Sequence, residues 1–249
     1  MIIDCISDLH GHYPELEGGD LLIVAGDLTS RNTIYEHAEF LGWLNSQNYK
    51  KRIFIAGNHD NNVDKKFDWD ESIVYLCDSG TDFECEEDLP CNFCGEKNKC
   101  AHTSICQKPI KKKLKIWGSP WTPLFDGVDP RCTAFMLPEA ELEAKFALIP
   151  DDVDILVTHG PPFGILDWNA KGRLCGSQSL FERARSLKSL KLHVFGHIHE
   201  AYSFITPDNL KVVNPDHFPK TFANMPYIVN CSHVNERYEP VNKPIRVIF

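Results

Sequence analysis

The chain has 249 residues, 43% hydrophobic and 11% aromatic, enough to bury one sizeable core. Its formal net charge of -9, from 26 Lys and Arg against 35 Asp and Glu, argues against the broad basic surface that extended nucleic acid demands, but leaves small phosphate-bearing ligands open, since a few bound dications reverse the field locally. The start "MIIDCISD" has no basic leader, and no apolar run approaches the roughly 18 residues of a membrane span, so a soluble, cytoplasmic protein with no membrane partner is expected.

In chain order, "IIDCIS" (2–7), "LLIVAG" (21–26) and "RIFIAG" (52–57) read as strands covered on both faces. Between the last two, Ile34, Phe40, Leu41 and Leu44 recur at helical spacing, and Thr33 with Glu36 fits a capping box. From about 78 to 113 periodicity fails and Cys, Lys, Glu and Asn dominate, which suggests an insertion within a single domain covering residues 1–249. Pro138 opens a second predicted helix running to Leu148, and "DILVTHG" (154–160) reads as a strand. A third helix is expected near Ser179 to Leu190, with Ser179 and Glu182 as its capping box, followed by the strand "LHVFGHIH" (192–199). The tail, "AYSFIT", "KVV", "YIVN" and "IRVIF", reads as short antiparallel strands finishing a mixed α/β body.

Five of these strands end in "SDLHGH", "AGDLT", "AGNHD", "THGPP" and "FGHIH". Loops beyond the carboxyl ends of strands are where α/β sheets gather ligands, because a rigid scaffold there aims several side chains at one point. Asp8 with His10, and His197 with His199, would each share a face if the extended conformation persisted. Asp8, His10, Asp27, Asn58, His159, His197 and His199 supply oxygen and imidazole donors suited to Mn, Fe or Zn. Seven donors exceed one tetrahedral site, so two divalent ions follow, bridged by a shared carboxylate at about 3.5 to 4 Å. A lone "DxH" or "GD" is an ordinary turn or cap; five such strings in this order are not.

The order D-x-H, G-D, G-N-H-[DE], H, G-H-x-H resembles the calcineurin-like metallophosphoesterases over nearly the whole chain. The strings "WGSPWTP", "VTHGPPFGILDW", "LHVFGHIHEAYS" and "YEPVNKPIRV" are further similar to the small metallophosphoesterase-domain-containing group of cyclic nucleotide phosphodiesterases. The broad resemblance implies a four-layer α/β/β/α sandwich of two mixed sheets with helices outside. It implies one metal held by Asp8, His10, Asp27 and His199, and a second held by Asp27, Asn58, His159 and His197. The departures are the Cys-rich insertion and an Asp, where many relatives have Glu, in "GNHD".

The expected reaction is hydrolysis of a small phosphate ester, a nucleotide or cyclic nucleotide diester, by a water whose pKa two metals lower from about 15.7 toward 7. His59 is the candidate general acid for the leaving alkoxide, with Asp60 bonding its other ring nitrogen to set the tautomer. Same-fold alternatives are a phosphomonoesterase, a protein phosphatase or a nuclease; a non-catalytic metal-binding scaffold is the alternative from another class. His12, Asn61, Asn62 and Trp168 lie near the motif loops as pocket-lining candidates or ordinary loop residues, His193 reads as a structural histidine, and Cys132 is assigned no catalytic task.

The stretch "CEEDLPCNFCGEKNKCAHTSIC" is separate. Cys91-x2-Cys94 with Cys100 and Cys106 could complete a structural zinc site, with Cys85 and His102 as alternative ligands. Reduced thiols on a flexible loop, or disulfides in an exported protein, are the competing readings.

Overall fold

A computed structural model describes residues 1–63, 70–87, 110–125, 127–207 and 225–249, with the side chain of Glu87 excepted. Two mixed sheets carry the fold. The first has five strands in the order β13-β1-β2-β3-β4: β1 (Ile2–Ile6), β2 (Gly19–Ala25), β3 (Tyr49–Ile55), β4 (Ile73–Tyr75) and β13 (Ile245–Ile248). The second has six in the order β11-β12-β10-β9-β6-β5: β5 (Ser79–Glu87), β6 (Ile110–Ser119), β9 (Ile155–Thr158), β10 (Leu192–Phe195), β11 (Ser203–Ile205) and β12 (Tyr227–Asn230). A two-stranded pair, β7 (Thr122–Pro123) and β8 (Met136–Leu137), lies apart.

Side-chain alternation explains the layering. On β2, Leu21, Ile23 and Ala25 join the core between the sheets, where they meet Ile155 and Val157 of β9 and Val194 of β10. The intervening Leu22 and Val24 face the other way and pack with Phe40 and Leu44 of α1 (Ile34–Ser46). Leu156 of β9 turns outward onto Leu142 and Phe146 of α2 (Glu139–Phe146) and Leu180 and Ala184 of α3 (Gln178–Ser186). Helix, sheet, sheet and helix pair make the four layers that the resemblance implied. Both faces of each central strand are covered, which is why these runs are apolar throughout.

Several boundaries differ from the sequence expectation. The Thr33–Glu36 capping box forms as predicted. On α3, however, Ser177 is the cap: its hydroxyl accepts from Leu180 N, and Glu139 of α2, not Glu182, accepts from Ser177 Oγ at 3.0 Å and Ser179 N at 2.7 Å. A carboxylate from a neighbouring helix does what an intrahelical one was expected to do, a tertiary contact that spacing cannot reveal. The 78–113 stretch is not wholly irregular. Its flanks pair as the antiparallel β5–β6 hairpin, Ser79 opposite Gly118 and Glu84 opposite Lys113; alternating Glu and Lys hid the strand period. Cys91, Cys94, Cys100, His102 and Cys106 lie outside the described residues. In the tail, β12 runs parallel to β10 and antiparallel to β11, and β13 pairs antiparallel with β1; "KVV" (211–213) lies outside the described residues.

β1, β2 and β3 are mutually parallel, as are β9 and β10. Beyond their carboxyl ends the two sheets are stitched together, Ser7 N donating to Cys231 O and His233 N to Ser7 O, while Asp8 N to Gly26 O and Gly196 N to His159 O carry the pairing on within each sheet. This end of the sandwich collects the polar strand-end motifs.

Candidate metal centre

Three overlapping groups form there: Asp8, His10 and His199; His10, Asp27 and His59; and Asp27, His159 and His197, with the ligand atoms of each group within 4.8 Å of one another. Asn58 joins through Oδ1, 2.9 Å from His159 Nε2. All seven predicted donors therefore meet, and His59 with them. Asp27 belongs to two groups: one carboxylate oxygen lies 3.6 Å from His10 Nε2 and the other 3.4 Å from His159 Nε2.

The backbone reaches this arrangement by leaving the strand conformation. Asp8, His10, Asp27 and His197 all have left-handed φ, at 52°, 43°, 51° and 68°. Asp8 and His10 thus do not share a strand face, as the spacing predicted; a tight left-handed turn after β1 brings them together. Such conformations cost a non-glycine residue about 1–3 kcal/mol and persist only where the surroundings over-determine them. Glycines provide the clearance: a Cβ on Gly57 would overlap Asp27 Oδ1, and one on Gly196 would overlap Ser7 Oγ and Asp8 Oδ2.

Hydrogen bonds aim the rings. His159 Nδ1 lies 3.0 Å from Ala25 O and His199 Nδ1 3.1 Å from Asn235 O. Each carbonyl holds a proton on Nδ1 and turns Nε2 toward the carboxylates, of Asp27 for His159 and of Asp8 for His199, the usual arrangement behind a metal-binding imidazole. Asn58 Nδ2 donates to Cys132 O at 3.0 Å, which turns its carbonyl oxygen toward His159.

The donor set fits divalent cations on two grounds. His10 buries both ring nitrogens with no hydrogen-bond partner among the described residues, and buried polar atoms are seldom left so. The electrostatics also call for positive charge. Burial would push Asp8 and Asp27 up, yet the neighbouring histidines hold both carboxyls well below the usual range. Burial opposes protonation of His159, but the Asp27 charge outweighs it and raises that ring to about 9. His10 and His197 are instead pushed down by burial, to about 4 and about 3, and stand as neutral lone-pair donors.

Asp60 departs from its expected place. Its fully buried carboxylate accepts from Gly57 N at 2.8 Å, Leu28 N at 3.0 Å, Thr29 N at 3.2 Å and Thr29 Oγ1 at 3.0 Å. Both oxygens are committed to pinning the "GDLT" loop to the "GNHD" loop, so Asp60 does not set the His59 tautomer. His59 Nδ1 instead lies 3.4 Å from Ser30 O and 3.6 Å from Cys132 Sγ. Cys132, assigned no task from sequence, touches both Asn58 and His59. Asn235 and Tyr238 were also missed: each comes from the tail, and neither sits in a metal-ligand motif. The Tyr238 ring stands 4.8 Å from His10 and 5.3 Å from His199. Ser7, whose hydroxyl donates to Asp8 Oδ2, is another. His12, Asn61, Asn62 and Trp168 are exposed, and Asn61 and Asn62 bond the adjoining loops at Arg131 and Asn32. His193 is buried and bonds Thr158 Oγ1 at 2.9 Å, a structural role.

A buried Asp, Asn and His cluster at the joined ends of two sheets is a candidate metal-binding site. The chain belongs to the calcineurin-like phosphoesterase family, which it matches over residues 1–201. It is similar to human metallophosphoesterase domain-containing protein 1, with 34% identity over 247 residues, covering 97% of this chain and 68% of that protein; the mouse protein of the same name aligns equally. A UPF0046 protein of Caenorhabditis elegans is 31% identical over 219 residues, 84% of this chain and 73% of its own length. No helix among the described residues is long and apolar enough to cross a membrane.

Proposed function

We propose that the chain is a two-metal phosphodiesterase hydrolysing a small phosphate ester, a nucleotide or cyclic nucleotide. The observation that carries this reading is Asp27, whose two carboxylate oxygens face imidazoles of separate groups, as a bridging ligand must. Asp8, His10, Asp27 and His199 would hold one ion, and Asp27, Asn58, His159 and His197 the other; Mn, Fe and Zn all suit this set. When bound, the ions supply an activated water and charge neutralisation at the phosphate.

The chain's own residues do the rest. Asp60 locks the two loops that carry Asp27 and Asn58, and Asp27 Oδ1 also accepts from His59 N at 2.9 Å, which fixes the third residue of "GNHD" against the first cluster. His59 is half-buried, with its ring 4.7 Å from that of His10. A proton held on Nδ1 by Ser30 O leaves Nε2 to exchange with solvent; protonated there, the ring donates to the leaving alkoxide as general acid. The free thiols of Cys5, Cys132, Cys175 and Cys231 suit a reducing cytoplasmic setting.

The test is a panel of 3′,5′- and 2′,3′-cyclic nucleotides, phosphomonoesters and chromogenic diesters, assayed with Mn, Mg, Fe, Zn and chelator. Diesters should turn over, and chelator should abolish it. Preference for monoesters would move the protein to the phosphatase reading, and no turnover with any metal would leave a binding scaffold. Within the panel, His59→Ala should retain both metals and lose about 100 to 10,000-fold on alkyl leaving groups; undiminished turnover on such a substrate removes His59 from the mechanism.

A further inference from the structure

We infer that Tyr238 is a substrate-binding residue, the wall on which a planar group of the ester stacks, so that the site takes phosphate esters carrying a nucleobase. The inference rests on the nucleotide reading proposed above and adds to it the residue that holds the base. Tyr238 has φ of 61° and is 49% exposed. Left-handed positions in turns ordinarily go to Gly, Asn or Asp, and an aromatic there is strained by about 1–3 kcal/mol. Packing against the rings of His10, His199 and His59 offsets part of that strain, while half of the residue stays open to solvent.

Its placement supplies the reason. The ring lies nearly perpendicular to His10 and His199, at 4.8 Å and 79° and at 5.3 Å and 88°, and 6.4 Å from His59. It therefore touches the rings of two proposed metal ligands and stands beside the proposed general acid, while half its surface stays open. The turn that presents it is tightly built. Tyr238 N donates to Asn235 O at 2.9 Å, Asn235 Oδ1 accepts from Arg237 N and Glu239 N, and Asn235 O also faces His199 Nδ1 at 3.1 Å. The carbonyl that orients a metal ligand thus also fixes the turn holding the aromatic ring. Over the other cluster a second exposed aromatic, Phe125, stands 6.5 Å from His197. A phosphate at the metal centre has an open aromatic surface within reach, and base–aromatic stacking is tolerant of base identity.

The experiment compares binding of AMP and ribose 5-phosphate, which share sugar and phosphate and differ in the base, to the full-length Mn-loaded protein by titration calorimetry. The wild type should bind AMP at least about tenfold tighter than ribose 5-phosphate. Tyr238→Leu should bring the two affinities together by weakening AMP alone, Tyr238→Phe should keep the preference, and metal content should be unchanged in both. An AMP preference that survives in Tyr238→Leu overturns the inference. So does an equal loss for both ligands, because the residue would then only prop the histidines. These outcomes are independent of turnover: a failed substrate panel with an intact Tyr238-dependent AMP preference defeats the catalytic reading and leaves the base-binding wall standing.

Discussion

β2 and β10 each hold two neighbourhoods four residues apart. Ile23 and His193 lie inside their strands, extended and fully packed, whereas Asp27 and His197 lie just past the strand ends with left-handed φ. Ile23 is buried in the apolar core between the sheets; Asp27 is almost as deeply buried but faces four imidazoles, those of His10, His59, His159 and His197. The comparison teaches that burial alone does not separate scaffold from site. What separates them is whether the buried group's demands are met locally: Ile23 has none and His193 has its threonine hydroxyl, while neither ring nitrogen of His10, which faces Asp27, has a hydrogen-bond partner among the described residues.

The largest effect should come from breaking the site member of the first pair. Asp27→Ala removes a ligand shared by both groups, so both ions should be lost together on elemental analysis. Turnover should fall roughly a thousandfold or more, since several kcal/mol of charge stabilisation depart with the metals. Retention of one full equivalent of metal would show that the carboxylate does not bridge. The complementary change, Ile23→Ala, should lower unfolding free energy by about 2–5 kcal/mol in chemical denaturation. Metal content and KM at a temperature where the variant is folded should be unaltered. Loss of metal in that folded variant would mean that scaffold and site are not separable along β2.

This division also explains what could be read from the chain. The central strands and the seven donors were legible because an apolar run ending in Asp, Asn or His is a local pattern, and parallel strands bring such endings to one edge. The Thr33–Glu36 box was legible for the same reason. Asp60 was misassigned because proximity in sequence to His59 suggested a pair, whereas three backbone amides and a hydroxyl outcompete one imidazole for its two oxygens. The left-handed turns at Asp8 and His10 are held by bonds to distant segments: Asp8 N donates to Gly26 O, His10 N to Asp27 O, and the Asp8 carboxylate accepts from His197 N, 189 residues away. Cys132, Asn235 and Tyr238 reach the site from segments with no metal-binding motif, and only the packing of the Pro130–Cys132 turn and of the tail against the strand ends reveals them.

The smallest effect sharpens the second pair. His193 is buried and neutral, its pKa pushed down by burial to about 3, against about 6.5 in an unfolded chain. Below pH 6.5 the unfolded state binds a proton that the folded state refuses, so stability is full above that pH and declines as pH falls toward 3. The slope from this one residue is about 1.4 kcal/mol per pH unit. His10 and His197 are also held low by burial, and would steepen the decline in metal-free protein; the measurement therefore compares the wild type with His193→Asn, both metal-free, by denaturant unfolding between pH 7 and 4. The variant starts less stable, having lost the bond to Thr158, but its decline with acid should be shallower by up to that slope. Parallel declines would mean that His193 accepts a proton inside the strand. The contrast with His197 would then lie in position along β10 alone, not in how the fold treats the charge.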